Sequence, residues 1–252
     1  MEVLLAVIGA AIVTALSYLG SRFITWWERH ARLGHLADFI GDSKEVRIVL
    51  SSVPVLSDAD EFMRAQPANV LFSPTAEGAA VARLYLKLHE AKRKRFHVEL
   101  NPAKEFSETG NKAPFISVGG PSVNAVSAHL IEHHLPNFRI DYPRHEVFIG
   151  GHRFQAPEQR DGFLKEDYGF ILSGRTDNGT PFAVVWGVYA FGSMVAARAL
   201  IELSDRRKYR KSERSRLFSR DGLFLVAHGR VNDYQLADDI EPLRPQPNPW
   251  IH

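Results

Sequence analysis

Two turns in this chain are built from residues that suit anion binding. "FISV-GGPSVN-AVSAHLIEHH" and "FAVVW-GVYAFGS-MVAARALIEL" each read as a buried strand, a turn with two glycines and a helix opening on small residues. Glycines let backbone N–H groups approach an anion closely, and a helix N-terminus adds free donors and a partial positive charge. In open α/β sheets such turns lie at the carboxyl ends of strands, where ligands bind. Gly119, Gly120 and Pro121 make the first turn, with Ser122 and Asn124 as its polar side chains; Gly187, Tyr189, Gly192 and Ser193 are their counterparts in the second. Together the two turns can hold two phosphates, or a phosphate and a ribose. Neither is G-x-G-x-x-G or G-x-x-x-x-G-K-[ST], so the dinucleotide fingerprint and the Walker loop are both missing. The plainer reading of the same glycines is a tight turn in one case and close packing in the other.

Glu166 and Asp167, in "KEDYGFI", stand just before a strand and are the candidate catalytic pair. A carboxylate at a sheet edge beside a phosphate turn can hold a ribose hydroxyl, orient water or act as a base. The competing reading is an exposed acidic turn. His129, Glu132 and His133 fit H-x-x-E-H, in which two histidines one helical turn apart bind zinc and the glutamate activates water. Nothing around a later carboxylate supplies the rest of such a site, so the expected metal content is none and a zinc hydrolase is a remote alternative. The plain reading of "HLIEHH" is the polar side and end of an amphipathic helix.

The segment "GVYAFGSMVAARAL" resembles the glycine-turn-and-helix region of lysine-decarboxylase-like phosphoribohydrolases and of the nucleotide-sensing Rossmann-like domains related to them. The resemblance covers about twenty residues, and the GGP turn extends it in architecture. Those enzymes carry a glutamate on the helix after the turn, where this chain has Met194, Val195, Ala196 and Ala197. The resemblance therefore implies nucleotide binding more than hydrolysis.

The elements that must position these residues follow from periodicity. "EVRIVLSS", "NVLF" and "FHVEL" read as strands that alternate with helices at "SDADEFMRA" and "SPTAEGAAVARLYLKLHEAKRKR", the second opened by a Ser73-Pro74 cap pair. This alternation predicts βαβ units and a mainly parallel, Rossmann-like α/β sheet. From "FRID" onward the rhythm changes to strands, with Gly150-Gly151 suited to a tight hairpin, so an antiparallel hairpin region is inserted. The expected divisions are an anchor over 1–27, a juxtamembrane helix and linker over 28–44, an α/β domain over 45–235 and a proline-rich tail over 236–252.

Composition bounds the rest. The 252 residues are 45% hydrophobic and 24% charged, an ordinary globular mixture, and the absence of cysteine excludes disulfides, thiolate metal sites and a cysteine nucleophile. Val3 to Gly20 carries no charge, and the apolar run reaches Trp27. That length suits a membrane-spanning helix, and Arg22, Arg29 and Arg32 behind it predict a single-pass inner-membrane protein of bacterial type with its C-terminal domain cytoplasmic. Contact of residues 3–27 with the lipid bilayer is the expected partner interaction, with self-association through Gly9, Ala10, Ala11 and Ala15. "RRKYRKSERSRLFSR", residues 206–220, holds eight basic residues and one acidic one and suits anionic lipid. The expected function is a sensor or effector that binds a nucleotide-type small molecule, with N-glycosidic hydrolysis as its chemistry if it turns over. A scaffold docking a protein partner is the non-enzymatic alternative.

Overall fold

The strand Pro181–Gly187, PFAVVWG, is apolar without alternation because both of its faces are covered. Around it, a computed structural model of the chain describes residues 18–19, 21–22, 36–41, 43–50, 76–90, 97–107, 110–141, 144–155, 164–203, 223–232 and 235–242. The elements are α1 (Leu36–Ile40), β1 (Glu45–Leu50), α2 (Ala76–Glu90), β2 (His97–Pro102), β3 (Phe115–Val118), α3 (Ala125–His134), β4 (Arg139–Asp141), β5 (Glu146–Ile149), β6 (His152–Gln155), β7 (Glu166–Arg175), β8 (Pro181–Gly187), α4 (Ala190–Leu203), β9 (Leu223–Asn232) and β10 (Gln235–Pro242).

Seven strands form one sheet in the order β10-β9-β7-β8-β3-β1-β2. The pairs β1–β2, β1–β3 and β3–β8 are parallel, whereas β7–β8, β7–β9 and β9–β10 are antiparallel. The expected mainly parallel sheet is therefore a mixed one. A buried apolar run looks the same in either orientation; the connection decides, and the short turn between Arg175 and Pro181 makes β7 and β8 a hairpin.

Layers on both faces complete the core. One face, with Ile48, Ile116, Ile171 and Val185, packs against α1, α2 and α4 through Phe39, Leu84 and Val195. The other, with Phe115, Phe170, Phe182 and Trp186, packs against α3 and a second sheet through Val126, Leu130, Val147 and Ile149. That second sheet is the antiparallel trio β4-β5-β6, whose β5 and β6 are joined at Gly150-Gly151.

Three expectations need correction. Among the described residues no helix is long and apolar enough to cross a membrane, so the anchor over 3–27, the single-pass membrane location and the membrane-bound reading built on them do not stand. The longest described helix, α2, has 15 residues with exposed polar positions, where a span needs about 20 apolar ones. Apart from Tyr18, Leu19, Ser21 and Arg22, residues 3–27 lie outside the described residues, as do 51–75 with their expected strand and helix, and the basic run 206–220. The segment 28–44, expected as a juxtamembrane helix and linker, does contain a helix, α1, but its Leu36, Phe39 and Ile40 are at most 2% exposed, so it packs in the core. Finally, the tail expected from residue 236 begins as a strand: β10 pairs antiparallel with β9.

Candidate functional site at the carboxyl edge of the sheet

The two glycine turns lie side by side. Strands β3 and β8 are parallel neighbours, with Val118 opposite Val185, so both turns leave the sheet at the same edge. From there α3 runs onto one face and α4 onto the other. Adjacent strands whose following helices diverge to opposite faces form a topological switch point, the crevice in which open α/β sheets hold ligands.

The second turn is close-packed and filled from within. A Cβ on Gly187 would stand 2.3 Å from the Gly192 Cα, and one on Gly192 would stand 2.2 Å from the Tyr168 carbonyl oxygen. Only glycines allow α4 to start this close to β7 and β8. The donors at that helix start already have an acceptor: Asp167 Oδ2 accepts from the Gly192 N–H at 2.5 Å, and its Oδ1 accepts from the N–H groups of Tyr189 at 3.3 Å and Tyr168 at 2.8 Å. Asp167 is fully buried; burial pushes its carboxyl well above the usual range, while these three N–H bonds pull the other way. Ser193 is buried beside it, and the Tyr189 ring packs on His145 at 4.7 Å. Asp167 thus occupies the place that the sequence assigns to a phosphate.

The first turn is engaged only in part. Gly119 adopts φ 104°, a conformation that favours glycine, and donates to the Val185 carbonyl at 3.0 Å. Asn124, 1% exposed, caps α3: its Oδ1 accepts from Val126 and Ser127 N–H, and its Nδ2 donates to the Val118 carbonyl. Its side chain ties helix to strand, with Oδ1 accepting twice and one of the two Nδ2 hydrogens used. The N–H groups of Val123 and Asn124 bond to the Gly120 carbonyl. Among the described residues, the N–H groups of Gly120 and Ser122 have no partner. Beneath them, Trp186 is fully buried and its indole Nε1 has no partner either.

Further along the same edge stands a pair that sequence reading half found. Glu166 Oε2 is 2.9 Å from Nε2 of His228, with the side chains 33% and 21% exposed, and the Tyr168 ring lies 5.1 Å from the imidazole. An ionised carboxylate only accepts, so against one Nε2 is the donor of this contact. Tyr168 is opposite His228, and the Val188 N–H donates to the Tyr168 carbonyl, which brings this pair level with the start of the second turn. At about 4.8 Å per strand, β9 and β3 are roughly 14 Å apart across the edge. His228 is 62 residues from Glu166, and no local pattern marks it; only the β7–β9 register brings the two together.

The H-x-x-E-H histidines lie elsewhere, on the outer side of α3. The His129 and His133 rings stack with centroids 6.3 Å apart, and His133 Nε2 is 3.6 Å from Oδ1 of Asp177. Among the described residues no three His, Cys, Asp or Glu side chains gather as a metal site requires. His134 packs on Phe182, and burial together with His133 lowers its pKa to about 4, so it is neutral near pH 7. A cavity of about 480 Å3 runs beside α3, lined by Phe106, Ser107, Val126, His129 and Asp177 among others. It is apart from the Glu166–His228 pair and lacks the two glycine turns. Comparison of the chain with family models, with curated proteins and with solved structures finds no match.

Proposed function

We propose that this chain is a nucleotide-binding sensor or effector whose ligand lies along the carboxyl edge, its phosphoryl end at the Gly119–Ser122 turn. One observation carries the reading: the two glycine turns end adjacent parallel strands and send α3 and α4 to opposite faces. Glu166 and His228 lie on the same edge, and the carboxylate oxygen of Glu166 that does not face the imidazole suits a ribose hydroxyl. The second turn contributes shape more than donors, because Asp167 holds its N–H groups. Turnover is no part of this reading. Asp167 is sealed beneath α4, and the carboxylate of Glu166 is held by His228.

A thermal-shift panel of mono-, di- and cyclic nucleotides on the full chain tests the proposal. A ligand at about 100 times its Kd adds about 2.7 kcal/mol to stability, an upward shift of several degrees. A flat response across the panel removes the reading and leaves the protein-docking scaffold as the better account.

A further inference from the structure

We infer that His145 is a ligand-contacting residue of the carboxyl-edge site, its imidazole donating to the phosphoryl group of a nucleotide that crosses the end of β8. This rests on the nucleotide reading above and adds to it a side chain that no sequence pattern singles out. The backbone gives the first reason. His145 has φ 49° and is the one non-glycine residue with positive φ among the described residues. It closes the turn between β4 and β5, where Asp141 pairs with Glu146 and Asp141 Oδ1 accepts from the Arg144 N–H at 3.3 Å. Glycine meets a positive φ in a hairpin turn without strain. The other two described hairpin turns use it: Gly150, Gly151 and Gly179 have φ 56°, 81° and 82°. At 145 the chain instead keeps a side chain against the preference of the backbone. Residues held in this way cluster at active sites and ligand clamps.

The second reason is where that side chain ends. Its ring packs on Tyr189 with centroids 4.7 Å apart and an interplanar angle of 31°. Tyr189 is two residues beyond Gly187, the last of β8, so the imidazole stands at the carboxyl end of that strand. Strand β8 lies between β3, which runs into the Gly119–Ser122 turn, and β7, which begins with Glu166. At about 4.8 Å per strand, the end of β8 is one step from the phosphoryl turn and one step from the strand that bears the ribose carboxylate. A nucleotide laid from one to the other passes His145.

The chemistry of the ring gives the third. His145 is half-buried, and its contact with Tyr189 uses one face of the imidazole. An imidazole brings an N–H donor in either tautomer and a positive charge when protonated, and both suit a phosphoryl oxygen. Covering Tyr189 requires neither. The free phosphate ion shares this chemistry with a nucleotide phosphate, and the experiment separates the two.

The test uses the full chain with mono-, di- and cyclic nucleotides of adenine and guanine, their nucleosides and inorganic phosphate as probes, with affinities from titration calorimetry. The expected result is a nucleotide that binds at least tenfold more tightly than its nucleoside. His145→Gly, which suits the positive φ, then weakens that nucleotide at least tenfold, leaves the nucleoside unchanged and keeps the melting temperature within about 3 °C of wild type. His145→Asn tolerates the same φ with a shorter side chain, and it decides the matter by the same comparison if the glycine variant does not fold. Phosphate that competes with the nucleotide at similar affinity, and loses it in His145→Gly, makes the free ion the ligand and retains His145 as its contact. If the folded variant binds the nucleotide as wild type does, or if nucleoside affinity falls as far as nucleotide affinity, the imidazole merely covers Tyr189 and the inference is overturned while nucleotide binding stands. If no probe binds, the nucleotide reading falls and takes the inference with it.

Discussion

At the scale of single residues, the most informative side chain is Asp167. It accepts from three backbone N–H groups at the start of α4, where the sequence invites a phosphate. Asp167→Ala removes the acceptor that these three N–H groups share, leaving the Gly192 N–H only its bond to the Tyr189 carbonyl, at a cost of about 1–3 kcal/mol. Sulfate or phosphate should then raise the melting temperature of the variant more than that of wild type, since both share the general salting effect and only the variant has a vacant anion place. Equal shifts in the two proteins would mean that the turn repacks without a carboxylate. His134 makes a second, independent case. Its pKa falls from 6.5 to about 4 through burial and the nearby His133, with His129 acting in the same sense and Asp177 opposing it. The unfolded chain takes up a proton below pH 6.5 that the folded one refuses, so the native state loses stability as pH drops from 6.5 towards 4. Because the ring is only partly shielded, the loss is discounted to on the order of 1–2 kcal/mol. His134→Gln should flatten that part of the stability profile in urea titrations; an unchanged slope assigns it to other groups. Sequence alone singled out Asp167 and both turns, but not who holds the donors. Burial decides that, and burial is a property of the assembled sheet.

At the scale of elements, α4 shows why a glycine pattern has two readings. A strand, a glycine turn and a small-residue helix serve a phosphate or a close helix crossing equally well, and the sequence is the same in both cases. Here the backbone of α4 is so near β7 that a Cβ on Gly169 would stand 2.4 Å from the Ala196 nitrogen. Gly192→Ala should therefore force α4 outward and destabilise by about 3 kcal/mol or more, as overpacked sites do. Gly120→Ala, with only ordinary contacts to Trp186, should stay within about 1 kcal/mol of wild type in either direction. Chemical denaturation of the pair measures the difference, and similar costs would put both turns in the packing class. The strands themselves were legible from their apolar runs, and so were α3 and the Gly150-Gly151 hairpin. The polar turn near Asp177 to Gly179 marks β7 and β8 as neighbours, but not that their pair continues the parallel strands and makes one mixed sheet. Strand β10 was hidden by its charged and proline-bearing sequence, QLADDIEP, which suits an edge strand as well as a tail.

Taken as a whole, the molecule uses part of its N-terminal region differently from what hydropathy implies. The apolar run and the arginines after it suggest that residues 28–44 merely lead away from a bilayer. Instead Leu36, Phe39 and Ile40 close one end of the core that holds α2 and α4 against the sheet. Helical spacing marks a helix here, but five residues give barely more than one turn, and spacing does not say that its three apolar side chains are buried against the sheet. Core membership makes a quantitative claim that linker status does not. Phe39 is 0% exposed, and replacing a buried phenylalanine by alanine costs about 3–5 kcal/mol through lost transfer energy and the cavity left behind. Phe39→Ala should thus lower the urea midpoint of the whole cooperative transition, with no separate early phase. It should also leave nucleotide affinity unchanged at temperatures where the variant is folded, because α1 packs on the face opposite to α3 and the second sheet. A cost below about 1 kcal/mol would return the segment to the role of a tether. A loss of affinity in the folded variant would mean instead that the two faces of the sheet are coupled through β8, the strand that lies between them and ends at the second turn.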